Sequence, residues 1–203
     1  WIIVNDGSTN TEDIEMLLRL SEEDSRIKIL NKENGGISSA RNLAIKNAST
    51  EIIVVLDADD LIAPTYIECI YWSLYCNPVA SWSYTDVVGF FNQECLWNKS
   101  FSSKTMKKEN ILTCTAGIRK CDLFEVGLYN ESEKHYNEDW KLWLELLSRG
   151  KYPVHMSWYG FWYRRTDNGV LSIVKEDPQI KAKSKKMIEE VAQKVNDKIE
   201  AIE

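Results

Sequence analysis

The segment that most constrains this chain is Glu51-Ile52-Ile53-Val54-Val55-Leu56-Asp57-Ala58-Asp59-Asp60, an apolar run that ends in three carboxylates within four positions. Four consecutive β-branched residues favour a buried strand, and the acids mark its solvent-facing end. Carboxylates this close repel one another when ionised, so they need full solvation or a counter-cation. A hard divalent ion with oxygen ligands, shared with the phosphates of a substrate, satisfies that need. The bland alternative is a set of acids that face water and open the next helix. Two other acid-rich motifs fit poorly. Counting from Asp57, the sixth place, where a calcium hand requires Gly, holds Ile62. A dehalogenase-type phosphatase normally follows its Asp-x-Asp with Gly or Thr, whereas here Asp60-Leu61 follows.

The 203 residues suffice for one domain with a real hydrophobic core. A net charge of −6, with Lys and Arg dispersed except near the C-terminus, argues against a nucleic-acid-binding surface. Five cysteines without a Cys-x-x-Cys pair read as reduced and mostly buried, which points to the cytoplasm. Only His135 and His155 are available to complete a zinc site. No apolar run reaches the ~18 residues of a membrane span, and no signal peptide is visible. That leaves room for peripheral association with the inner face of the membrane.

Strand-like runs at 1–5, 26–31, 51–56 and 80–91 alternate with helical patterns at 11–22, 37–48 and 64–77. This rhythm predicts an α/β fold whose mixed, mainly parallel sheet is flanked by helices. Thr9 or Asn10 is placed to cap the first helix, and Asn34-Gly35-Gly36 makes the turn into the second. The loops at 6–10, 34–38 and 57–63 all follow strands and are expected at one carboxyl edge, where open sheets bind ligands. That topology would gather Asp6, Arg41, Asp57 and Asp59. Further on, 113–118 and 152–163 read as strands, and Asn137-Glu138-Asp139-Trp140 opens a helix. Acids in a first helical turn are ordinary capping residues unless a site claims them. Met187, Ile188, Val191, Val195, Ile199 and Ile202 recur at helical spacing and predict a docked terminal helix.

Taken in order, Asn5-Asp6-Gly7-Ser8-Thr9, Asn34-Gly35-Gly36-Ile37-Ser38-Ser39-Ala40-Arg41-Asn42, Leu56-Asp57-Ala58-Asp59-Asp60 and Asn137-Glu138-Asp139-Trp140 closely resemble the family 2 glycosyltransferases of GT-A fold. The resemblance runs from residue 1 to about residue 172. It implies a Rossmann-like nucleotide-diphospho-sugar transferase domain over 1–172 and a helical extension over 173–203. It further implies that Asp6 contacts the nucleotide base and that Arg41 helps hold the base or diphosphate. Asp57 would lie near the ribose, and Asp59 would bind Mn²⁺ or Mg²⁺ at the diphosphate. Asp139 would be the general base, with Glu138 as its neighbour. The expected donor is a UDP-sugar, and the expected acceptor a hydroxyl of a saccharide, lipid-linked or protein acceptor in cell-surface glycan synthesis. The chemistry agrees: a departing diphosphate needs a cation, and an acceptor hydroxyl needs a carboxylate to take its proton.

Three departures qualify the resemblance. The first strand and helix of the family are expected before Trp1, where the chain already reads as a buried strand, so the donor pocket is expected to be incomplete and activity weak. After Tyr163-Arg164-Arg165, where many members carry His, stand Thr166-Asp167. The Gln-x-x-Arg-Trp signature of processive synthases is missing, which favours addition of a single sugar. His155 is expected to be a packing residue. The competing functions are a catalytically silent nucleotide-sugar-binding module and a metal-dependent phosphatase or pyrophosphatase.

Overall fold

A computed structural model describes residues 1–98, 100–131, 137–167 and 177–196. His135, Ile199 and Ile202 therefore lie outside the described residues, as do 168–176 of the two expected segments. The chain forms two compact units, one of residues 1–50 with 128–134, the other of 51–127 with 135–203.

In the first unit β1 (Ile2–Asn5) pairs in parallel with β2 (Lys28–Asn31), and α1 (Thr11–Glu23) connects them. Of the two residues placed to cap α1, Asn10 does so, its side chain accepting from the Glu12 amide at 2.8 Å. The left-handed turn at Gly7, φ +83°, admits no side chain, because a Cβ there would lie 2.9 Å from the Asn34 amide nitrogen. The helix α2 (Ile37–Asn47) packs beside β1 and buries Arg41, Asn42 and Ile45. Asn42 then fixes the distant segment at Tyr129, donating to its carbonyl at 2.8 Å and accepting from its amide at 3.0 Å.

The second unit holds a six-stranded mixed sheet. Its strands are β3 (Ile52–Val54), β4 (Leu61–Ile62), β5 (Trp82–Phe91), β6 (Cys95–Trp97), β7 (Gly117–Arg119) and β8 (Pro153–Arg165). The order is β3-β7-β5-β8-β4, with β6 added to β5. The long central pairing, β5 with β8, is parallel, and the short flanking pairings are antiparallel. Helix α3 (Tyr66–Cys76) lays Tyr66, Ile70 and Leu74 onto this sheet against Val87, Val154 and Phe161. Each such side chain contributes about 1.5–3 kcal/mol on burial. Gly117 lets α3 approach, since a Cβ there would meet Ile70 Cγ2 at 2.0 Å.

Short elements fill the remainder: α4 (Ser103–Met106), α5 (Lys120–Glu125) and α6 (Glu138–Ser148). Sequence periodicity does not reveal β4, β6, α4 or α5, because elements of two to six residues are shorter than the patterns that identify them. The expected terminal helix is present as α7 (Pro178–Ala192), capped by Asp177. It is docked through buried Ile188, Val191 and Ala192 and through Ser184, which accepts from Asn137 Nδ2 at 2.6 Å.

The expectation of mostly buried cysteines is not met. Cys114 is buried, Cys69 half-buried, and Cys76, Cys95 and Cys121 are exposed. Cys95 and Cys121 lie on the short β6 and α5, which periodicity does not identify, and Cys76 is the last residue of α3, where the helix runs out. His155 is a packing residue as expected. It stacks on Tyr84 with ring centroids 4.6 Å apart and meets Asp86 at 2.8 Å, where the β5–β8 register shifts.

Candidate active site

In the first unit the turn after β1 presents Asp6, whose carboxylate accepts three hydrogen bonds. Oδ1 accepts from Lys32 Nζ at 2.6 Å and from the Gly35 amide at 2.9 Å, and Oδ2 accepts from the Gly36 amide at 2.8 Å. Burial opposes the charge, but the Lys32 bond and the two amides outweigh it and hold Asp6 below the usual carboxylate range. Gly36 is the N-cap of α2 and has no side chain to serve the helix start, so Asp6 supplies the anion that the helix terminus favours. Arg41 is buried in the same unit, with its guanidinium 5.3 Å from the centroid of the Tyr129 ring.

The second unit carries the acidic turn after β3. The three carboxylates differ in exposure. Asp57 is half-buried, Asp59 exposed and Asp60 buried. Asp60 turns inward and accepts from the Arg164 amide at 2.8 Å. Its other oxygen is buried without a hydrogen-bond partner among the described residues. Burial, reinforced by Asp59 and Asp57 and only partly offset by the Arg164 amide, pushes Asp60 up to about 7. Strand β8 thus clamps the turn. Arg164 Nε donates to the Asp59 carbonyl at 2.7 Å, and the Ala63 amide to the Gly160 carbonyl at 2.9 Å. The Arg164 guanidinium in turn lies 4.6 Å from the centroid of Phe90. Reaching Asp60 takes a strand more than a hundred residues away, a contact that carries no sequence signal.

Glu138 and Asp139 open α6 immediately after Asn137, which adopts the left-handed conformation at φ +83°. Asp139 Oδ1 accepts from the Trp140 amide at 2.7 Å, and Oδ2 accepts from Asn110 Nδ2 at 3.1 Å. The indole of Trp140 donates to the Met106 carbonyl at 2.7 Å, which pins the first turn of α6. Four residues along from Asn110, the Cys114 thiol donates to Asp57 Oδ2 at 3.3 Å. Tyr163 on β8 registers the same neighbourhood. Burial pushes its phenol up to about 12 against the pull of Arg165, and Asp60, Cys114 and Asp139 add to the rise. The second unit therefore brings together Asp57, Asp60 and Asp139 through Asn110, Cys114 and Tyr163. Sequence reasoning missed these last three, because a lone Asn, Cys or Tyr in irregular chain has no pattern to stand out from.

Among the described residues, no three His, Cys, Asp or Glu side chains are grouped so as to hold a metal ion by themselves. Exposed Asp59 and half-buried Asp57 nevertheless offer hard oxygen donors of the kind that Mn²⁺ or Mg²⁺ takes alongside phosphate oxygens, so the donor set fits a cation that a diphosphate completes.

Strands and helices alternate in each unit, with Asp6 following β1 in the first and Asp57 and Asp59 following β3 in the second, as in the GT-A class. Solved structures agree with that fold. S. aureus TarS 1–349 in complex with UDP-GlcNAc superposes with a TM-score of 0.68 at 15% identity, covering 84% of this chain and 51% of TarS 1–349. A longer TarS structure covers 90% of this chain and 33% of its own, with a TM-score of 0.66 at 16% identity. The model of the glycosyl transferase family 2 matches residues 1–111. An uncharacterized glycosyltransferase of Rickettsia bellii is 34% identical over 156 residues, 73% of this chain and 22% of that protein. One from Rickettsia typhi is 32% identical over 164 residues, 72% of this chain and 48% of that protein. The chain belongs to glycosyl transferase family 2. It spans between about a tenth and half of the length of the relatives named first among its matches.

Proposed function

We propose that this chain is the catalytic region of a metal-dependent, inverting glycosyltransferase. It moves a sugar from a UDP-sugar to a hydroxyl of a saccharide, lipid-linked or protein acceptor in cell-surface glycan synthesis. The observation that carries this reading is that one stretch of the second unit, 110–114, bonds Asp139 through Asn110 and Asp57 through Cys114, with Asp59 exposed on the same turn as Asp57. Asp139 takes the proton of the acceptor hydroxyl as its oxygen attacks the anomeric carbon. The bond from that carbon to the diphosphate oxygen breaks, its electron pair leaves with UDP, and the configuration inverts. Glu138 stands beside the base. Asp59, with Asp57, would hold Mn²⁺ or Mg²⁺, which supplies neutralisation of the leaving diphosphate. Asp6 and Arg41 serve the nucleotide.

Because TarS binds UDP-GlcNAc, UDP-GlcNAc is the first donor to try. Three exposed free thiols suit a reducing compartment, which favours the cytoplasm. No helix among the described residues is long and apolar enough to cross a membrane, and peripheral contact with the inner membrane face fits a lipid-linked acceptor.

The test pairs calorimetric titration of UDP, with Mn²⁺ and with chelator, with a transfer assay on Asp139→Asn. General-base catalysis contributes about 10²–10⁴-fold. The expected result is a loss of that size in transfer while metal-dependent UDP binding persists. Undiminished transfer by Asp139→Asn would remove Asp139 from its role, and release of inorganic phosphate in place of intact UDP would favour a phosphatase.

A further inference from the structure

We propose that Asn110 is the positioning residue of Asp139: it orients the carboxylate and holds it ionised. The inference rests on the reading of Asp139 as the base. An aspartate at the start of a helix is free to turn toward any of the amides of the first turn or toward solvent. Here one oxygen is taken by the Trp140 amide and the other by Asn110 Nδ2 at 3.1 Å. Asn110 is itself fixed, since its Oδ1 accepts from the Leu112 amide at 3.3 Å, which settles which end of the amide faces Asp139.

The chain that follows Asn110 is anchored. Ile111, Leu112, Cys114, Thr115 and Ala116 are all buried. The Thr115 carbonyl accepts from Tyr66 at 3.4 Å, and the Cys114 thiol reaches Asp57. A short stretch between α4 and β7 therefore grips the acid of the attacking side at one end and an acid of the leaving side at the other. The grip has a directional consequence. Hydrogen bonds donated to a carboxylate favour its charged form, so Asn110 keeps Asp139 ready to accept a proton at lower pH than it otherwise would. The charge of Asp139 also acts on the Tyr163 phenol of β8, and Glu138 precedes it in the first turn of its own helix.

The experiment follows the titration of Asp139 itself by carbon NMR in protein labelled at the aspartate carboxyl, with Asp139→Asn used to assign its signal. In Asn110→Ala the midpoint of Asp139 is expected to rise by about one unit, the size of one lost charge-assisted hydrogen bond, while the other aspartates keep theirs. Asn110→Asp, similar in shape, is expected to raise it further and to split the titration into two steps, because two carboxyl groups then share one site. It stands in if the alanine variant fails to fold. An unchanged Asp139 midpoint in a folded variant overturns the proposal. The two readings fail separately. Transfer that survives Asp139→Asn removes the base and leaves the Asn110 grip intact, whereas an unmoved midpoint removes the grip and leaves the base.

Discussion

Asp6 and Asp60 both sit in a turn that follows an apolar strand, yet their surroundings drive their charges in opposite directions. Asp6, in the first unit, is met by Lys32 and two backbone amides and is held below the usual carboxylate range. Asp60, in the second unit, is met by one amide, has a buried oxygen with no partner among the described residues and is pushed up to about 7. The difference teaches that the acidic motif is not a uniform cluster. Asp6 is half-buried and has three donors, whereas Asp60 is buried and has one, so burial and the supply of donors together decide which carboxylate keeps its charge.

The largest expected effect is that of Asp6→Ala, which strands Lys32 and the amides of Gly35 and Gly36. At pH 7 a loss of about 2–3 kcal/mol is expected from removing hydrogen bonds to a charged group. Because the folded state lowers the pKa of Asp6, its contribution is present above the ordinary carboxylate value and is lost as pH falls through the lowered one. Urea denaturation should therefore show the gap between wild type and variant narrowing as pH falls below the ordinary carboxylate value, and a gap that does not narrow would break the comparison.

Gly7→Ala comes next. A left-handed φ of +83° and a Cβ 2.9 Å from the Asn34 amide predict a cost of about 1–3 kcal/mol. Unchanged melting would show that the turn presenting Asp6 is more pliable than its geometry implies.

Asp60→Asn runs the other way. The amide keeps an acceptor for the Arg164 N–H but removes a charge that the site disfavours. With its folded pKa raised to about 7, Asp60 contributes stability that is fully present below its unfolded value and is lost as pH rises through 7. In chelator, the variant is expected to gain about 1–2 kcal/mol over wild type at pH 8 and nothing at pH 4. A loss at both pH values would mean that Asp60 matters for its shape and not for its charge. The smallest effect belongs to Lys32→Met, about 0.5–1 kcal/mol, because the two amides continue to hold Asp6. A cost as large as that of Asp6→Ala would shift the credit from the backbone to the ion pair.

The sequence read the longer elements closely. The helix expected over 11–22 occupies Thr11–Glu23, the one over 64–77 occupies Tyr66–Cys76, and the strand over 152–163 occupies Pro153–Arg165. Each carries several turns or alternations of apolar spacing, enough for its period to rise above chance. The two-residue β4 was hidden for the opposite reason, although it leads the acidic turn onto β8. Of the candidate residues, Asp6, Arg41, Asp57, Asp59, Glu138 and Asp139 were legible because they stand in compact motifs. Asn110, Cys114 and Tyr163 were not.

By itself the sequence determined the α/β rhythm, the caps and turns, and the family whose motifs the chain carries, because these depend on residues close together along the chain. Tertiary structure alone decided the state of each acid. Asn110 reaches Asp139 across 29 residues, Cys114 reaches Asp57 across 57, and Arg164 reaches Asp60 across 104. Charge, orientation and burial are set by whichever groups the folded path brings within about 3 Å, and that path is written in the packing of the whole sheet, not in any local stretch of it.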